Sequence, residues 1–164
     1  MRQETYFTDT PSATRRLGEK LAKRILKTAP CSNAFVIGLI GDLGSGKTTF
    51  LQGFSKGLGV KEKILSPTFV ILKRFQLNNL TIKQFNNFYH IDCYRIKKSK
   101  ELLELGFKEI ISEPKNIVAV EWVDRVRKVL PKDALIIKFD FIAQNTRRVK
   151  IKQWNKKKRS GSLL

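Results

Sequence analysis

Cysteine is scarce in this 164-residue chain: Cys31 and Cys93 stand far apart with no CxxC spacing. That excludes a disulfide scaffold and a cysteine zinc site, and gives no reason to expect a transition metal. No stretch approaches the roughly 18 uncharged apolar residues of a membrane-spanning helix, so no membrane association is expected. Met1-Arg2-Gln3-Glu4 carries an acid and leads into no apolar run, so a secretory signal is not expected and a cytoplasmic protein is. Internal repeats and Gly/Ser-rich linkers are lacking too. We therefore expect one domain over residues 1–154 and a basic, disordered tail over 155–164. Acids are in short supply: Lys+Arg 33 against Asp+Glu 14 leaves a net charge of +19. A field of that sign attracts nucleic acid, nucleotides or anionic lipid; the alternative is a lysine-rich composition spread over a solvated surface. Apolar residues are not lacking, at 41%, enough to build a packed interior and to exclude global disorder.

Glu4 to Thr8 reads as a short extended piece, and Asp9-Thr10-Pro11 as a helix start, a capping side chain followed by proline where its missing N–H costs nothing. Ala13, Leu17, Leu21 and Ile25 recur every four residues and predict an amphipathic helix to about Thr28. The apolar run 34–40 has the character of a strand buried on both faces of a parallel sheet. A glycine-rich turn and a helix from about Lys47 to Leu58 follow. Residues 68–76 and 80–85 predict a hairpin turning at Leu77-Asn78-Asn79, and residues 88–92 a further strand ending in an acid. Ser99 to Leu105 predicts a short helix ended by Gly106. Residues 116–121 form another apolar strand ending in an acid, then one or two helical turns to Val129. Residues 134–141 and 147–154 alternate well enough to be an antiparallel pair. These elements predict an α/β fold of the three-layer P-loop NTPase type, its mixed, largely parallel sheet carrying antiparallel strands at the margin.

The strongest signal is Gly41-Asp42-Leu43-Gly44-Ser45-Gly46-Lys47-Thr48, a full match to GxxxxGK[ST]. Such a loop lays backbone N–H groups on phosphate oxygens, where a Cβ would obstruct the wrap. Lys47 can reach the β- and γ-phosphates, the Thr48 hydroxyl can face Mg²⁺, and the following helix turns its positive dipole end to the same anion. The expected ligand is a nucleoside triphosphate. Its metal needs a carboxylate at the end of a neighbouring strand, and two strands supply one, Asp92 and Glu121. The chain lacks an NKxD-type guanine reader, which favours ATP over GTP, and lacks an arginine-rich lid, which weakens a small-molecule kinase reading. A kinase and an ATP-binding adaptor without turnover stay open as alternatives to an ATPase. His90, the single histidine, is expected to be a packed or hydrogen-bonded strand residue.

Five motifs in order, 41–50, Ser66-Pro67-Thr68-Phe69, His90-Ile91-Asp92-Cys93-Tyr94-Arg95, Leu105-Gly106-Phe107 and Val120-Glu121-Trp122, resemble the TsaE (YjeE) family of bacterial P-loop ATPases. The resemblance covers about Pro11 to Trp122. It implies an ATP-hydrolysing accessory protein in the synthesis of threonylcarbamoyladenosine, the modified adenosine next to the tRNA anticodon. Such a protein acts on the TsaB–TsaD complex to support multiple turnovers without performing the transfer itself. It further implies that Gly41 to Thr49 cradle the nucleotide, with Thr10 and Trp122 as added contacts. Lys47, Asp92 and Glu121 would be catalytic, Thr48, Thr68, Asp92 and Glu121 would hold or sense Mg²⁺, and Thr68 would be a switch residue reading the γ-phosphate. The sequence departs from the family at Ser45, where alanine is usual, at Val123-Asp124, where proline is common, and in the longer connection 76–87. Arg147, Arg148, Lys150 and Lys152 beside Trp154, with Lys156-Lys157-Lys158-Arg159 after them, suggest a basic end that holds tRNA.

Overall fold

The computed structural model describes residues 3–28, 32–65, 71–77 and 84–153. Seven strands form one sheet: β1 (Gln3–Thr8), β2 (Phe35–Ile40), β3 (Leu72–Gln76), β4 (Asn87–Asp92), β5 (Asn116–Glu121), β6 (Leu135–Phe141) and β7 (Arg147–Gln153). Their order is β1-β7-β6-β2-β5-β4-β3. The four central strands β6, β2, β5 and β4 run parallel, while β3 at one margin and the β7–β1 pair at the other are antiparallel. This is the mixed sheet the apolar runs imply. β2 and β5, flanked on both sides and covered on both faces, consist almost wholly of buried residues.

Helices α1 (Pro11–Ile25) and α2 (Lys47–Gly57) cover one face. On the other lie α3 (Ser99–Glu104), α4 (Phe107–Ser112) and a 3₁₀ segment, Val123–Val129. Alternation along each strand divides the interior in two. Phe35, Ile37, Leu39, Ile117 and Ala119 point toward α1 and α2, whereas Val36, Val118 and Val120 meet Leu102, Phe107 and Val126 on the other side. A run of aromatic contacts crosses the first layer: Phe139 on β6 meets Phe50 at 5.5 Å, Phe54 follows on α2, and Phe88 on β4 lies 5.8 Å beyond. Burying each such ring contributes roughly 1.5–3 kcal/mol, and together they fix the position of α2.

α1 starts where the capping signal places it: the Thr10 hydroxyl accepts from Ala13 N at 3.1 Å. Its buried face, however, is Thr14, Gly18, Leu21, Ala22 and Ile25, rotated from the four-residue row the sequence suggests, because α1 and α2 touch backbone to backbone. A Cβ on Gly53 would lie 1.8 Å from Arg15 O, and one on Gly18 2.2 Å from Phe50 O. Gly53→Ala improves helix propensity by about 1 kcal/mol but forces these backbones apart. A net loss of roughly 2–3 kcal/mol and a melting temperature lower by about 4–12 °C are expected; a melt unchanged or raised contradicts this packing.

One local expectation is corrected. The strand expected over 68–76 begins, among the described residues, at Leu72, and its partner there is β4. Gln84 and Phe85 are outside any strand, and Phe85 instead buries its ring in the core; residues 80–83 lie outside the described residues. Gly106, at φ +77°, ends α3 as expected and turns the chain directly into α4, a helix the sequence reading did not include. The helical turns expected after Trp122 are present as a 3₁₀ segment, with Val126 off helical geometry. Among the described residues no helix is long and apolar enough to cross a membrane.

Candidate functional site

The turn between β2 and α2 carries three glycines at positive φ: Gly41 at +152°, Gly44 at +74° and Gly46 at +98°. At Gly41 a Cβ would come within 2.7 Å of both Phe139 O and Ser45 Oγ, so the loop closes tightly over the end of β6. Gly46 is the N-cap of α2 and brings no side-chain cap to its first turn, leaving that end of the helix dipole to an anion.

Lys47 opens α2 yet is only 5% exposed. Its Nζ donates to Gly41 O at 2.7 Å and Asp42 O at 2.9 Å and lies 4.2 Å from the centre of the Trp122 ring. Burial pushes this ammonium below the usual lysine range, and the carboxylates of Glu121, Asp92, Asp42 and Asp124 act against that effect. The lysine therefore sits among groups that favour its charged form, although the loop has little water to solvate it.

Register places the acids. Asp92 on β4 lies directly beside Glu121 on β5, and Glu121 beside Leu39 on β2, so both carboxylates emerge at the carboxyl ends of adjacent parallel strands, where open α/β sheets collect ligands. The Thr48 hydroxyl lies 3.2 and 3.1 Å from the two Glu121 oxygens. His90 Nε2 lies 2.9 Å from Glu121 Oε1, with both residues buried. A carboxylate accepts only, so Nε2 is the protonated nitrogen. Asp92 Oδ1 accepts from Tyr94 N at 2.9 Å. Cys93, next in the chain, is buried and its thiol is pushed up to about 12 by desolvation, with Asp92 adding to the rise, so it is no nucleophile at neutral pH.

Trp122 is the one non-glycine residue at positive φ among the described residues (φ 55°), a conformation costing about 1–3 kcal/mol. Contacts on several sides hold it: Lys47, the Tyr94 ring at 5.3 Å and the Arg125 guanidinium at 5.6 Å. It is half-buried, not a core residue. Leu43, Gly44, Gly46, Lys47, Thr48, Thr49, Glu121 and Trp122 line one recess. Thus most of the residues picked from the sequence converge. Thr10 stands apart from that lining, its hydroxyl engaged in capping α1; one turn on, Thr14 Cγ2 lies 3.7 Å from where a Gly46 Cβ would stand. Thr68 lies outside the described residues.

Two residues gain a place that sequence reasoning did not assign. His90, expected as a packed or hydrogen-bonded strand residue, is hydrogen-bonded, and its partner, which the sequence did not name, is Glu121 of the acidic pair; its position two residues before Asp92, on the same strand face, was the available signal. Arg147, read as part of the basic end, stacks over Phe141 at 4.4 Å and reaches Gly44 O at 3.4 Å. No sequence pattern ties β7 to the loop; only the fold does.

The donor set suits a nucleotide with Mg²⁺. Among the described residues no three His, Cys, Asp or Glu side chains cluster as a metal cage, and Mg²⁺ characteristically takes one or two carboxylates and completes its shell with water and phosphate oxygens. One hydroxyl and two carboxylates beside an uncapped helix end meet that description.

Comparison with known proteins agrees with this geometry. The family model for the threonylcarbamoyl adenosine biosynthesis protein TsaE matches residues 8–149. The tRNA threonylcarbamoyladenosine biosynthesis protein TsaE of Bacillus subtilis is 34% identical over 137 residues, 84% of this chain and 77% of that protein. Its namesake from Rickettsia felis is 32% identical over 130 residues, 79% and 70%. The crystal structure of Bacillus subtilis YdiB superposes with a TM-score of 0.73 at 26% identity, covering 94% of this chain and 87% of that one. A seven-stranded mixed sheet, a phosphate loop closed by Lys47 and a family match across nearly all of its elements lead to one assignment: the chain belongs to the TsaE family.

Proposed function

We propose that this protein binds ATP with Mg²⁺ in the recess at Gly41–Thr49 and hydrolyses it, serving in the cytoplasm as an accessory protein of threonylcarbamoyladenosine synthesis in tRNA. In this reading it acts on TsaB- and TsaD-like partners to support repeated turnovers. The observation that carries the reading is the Lys47–Thr48–Glu121 cluster: a buried ammonium, a hydroxyl and a carboxylate at one helix start. Backbone N–H groups of the loop and Lys47 bind the phosphates; Trp122 and Thr49 flank them. Thr48, Asp92 and Glu121 would hold Mg²⁺, which when bound neutralises charge on the phosphate oxygens. In this reading Glu121 also takes a proton from the attacking water, and the bond from His90, which holds one of its oxygens in orientation, supports that role. Thr68 is proposed as the residue that senses the γ-phosphate.

Phosphate release from ATP, measured with and without purified TsaB–TsaD, tests the reading. Acceleration by the partners is expected; no release under either condition contradicts it. His90 supplies a finer test under the accelerated condition. His90→Leu, which removes the donor to Glu121, is expected to lower kcat roughly 10–100-fold with ATP affinity nearly unchanged. His90→Gln, whose amide can donate from a similar position, is expected to recover most of the loss. If Gln is no better than Leu, His90 serves packing alone.

A further inference from the structure

We propose that the bare face of β6, β7 and β1, on the side of the sheet away from α1, is a docking surface for an RNA strand; this deepens the tRNA role proposed above by assigning it a surface. Strand alternation sends Val149 and Ile151 into the core beneath α1 and leaves Arg148, Lys150 and Lys152 on the opposite side of β7. There they meet Lys138, which pairs with Lys150, and Asp140, which pairs with Arg148. Among the described residues the helices of that layer pack over β5 and β2, and Lys138 on β6 and Lys152 on β7 stay exposed. Phe7, opposite Arg148 on β1, is 67% exposed.

The cations are arranged, not merely abundant. Asp140 draws three of them together: Arg148 Nη2 at 2.9 Å, Lys138 Nζ at 3.1 Å and Lys150 Nζ at 3.7 Å. One carboxylate thus positions three positive groups and leaves a surplus. Alternate residues of β7 stand about 6.6–6.8 Å apart, a spacing that suits successive phosphates of an extended strand. At the end of the row Lys152 pairs with Ile136, which also lines a hollow rimmed by Arg127, Lys128 and Lys132, so positive potential continues past the strands. An open sheet face with an exposed aromatic among its cations is a known way of holding single-stranded RNA, bases on the ring and phosphates on the cations. A lipid surface needs apolar side chains to insert, and among the described residues the three strands expose one large apolar side chain on this face, Phe7. The nucleotide recess stays open because it lies at the strand ends beside α2.

The test uses a fluorescent tRNA transcript and the full chain, with affinity measured from low to high salt. Changing Lys138, Lys150 and Lys152 together to Gln is expected to reduce the slope of log affinity against log salt by about 2 or more, at roughly 0.7–0.9 per phosphate contact. Changing Lys20, Lys61 and Lys63 to Gln removes the same charge from exposed positions elsewhere and is expected to leave the slope nearly unchanged. Phe7→Ala is expected to weaken binding roughly fivefold or more through lost stacking at constant slope. Equal slope losses in both triple variants, or none in either, overturn the proposal, as does a triple variant that loses phosphatidylserine vesicles but still holds tRNA. Partner-stimulated ATP hydrolysis should survive in both triple variants. Its absence in the unaltered protein would count against the ATPase reading and leave the RNA surface standing.

Discussion

Lys47→Ala is expected to weaken ATP binding by about two orders of magnitude while the protein stays folded. The ammonium is already aimed into the recess, held by two loop carbonyls and the Trp122 ring. Moving it from neutral carbonyls to phosphate oxygens exchanges ordinary hydrogen bonds for charge-assisted ones between opposite ions, which contribute about 1.5–3 kcal/mol each. Two such bonds, less the contacts given up, leave close to 3 kcal/mol, and about 1.4 kcal/mol is tenfold in affinity. Calorimetry with ATP and Mg²⁺ reads the effect, and a thermal melt checks the fold, since Gly41 O and Asp42 O lose their donor in the variant. Affinity within threefold of the parent would mean that the lysine only braces the loop.

Glu121→Gln is expected to behave in the opposite way: nucleotide is retained within a few-fold and turnover falls by roughly 10²–10⁴, the usual contribution of a positioned acid–base group. The carboxylate accepts from Thr48 and from His90. An amide can accept through one atom only and presents its NH₂ to the other donor, so the substitution removes the charge and misaligns Thr48 together. Single-turnover phosphate release separates the chemical step from product release. A variant that binds ATP and hydrolyses it at the parental rate would remove Glu121 from the reaction. Set against Lys47→Ala, the pair separates holding the phosphates from attacking them.

Which parts of this were legible in the sequence follows from how local their causes are. The glycine turn before α2 was readable, because positive φ at Gly41, Gly44 and Gly46 needs glycine and the need is written at fixed spacing. The central strands were readable as well: a strand buried on both faces has to be apolar throughout, as 35–40 and 116–121 are. The acids at strand ends followed, since a carboxylate closing such a run has only the sheet's edge to occupy.

Long-range choices were not readable. The pairing of β3 with β4 depends on sheet order, and Leu77-Asn78-Asn79 between apolar segments reads in the sequence as a short hairpin turn. The rotation of α1 was hidden because its closest contact is made by Gly18, a residue with no side chain to mark the buried stripe, against Phe50 O on α2. Gly106 ends α3 as a left-handed glycine does, but that the same residue also opens α4 was not legible. His90 gave no sign of its partner, since Glu121 is 31 positions away and only the parallel register of β4 and β5 joins them. Arg147 likewise acquires its place beside the loop from β7, more than a hundred residues after Gly44.

The central claim is that a triphosphate, with Mg²⁺, is held at the start of α2. Titration calorimetry of the unaltered protein with ATP, in the presence and absence of Mg²⁺, measures this directly. The account predicts one site per chain and clearly tighter binding with the metal present. Heat no greater than that of dilution under both conditions, from protein shown to be folded, would contradict it.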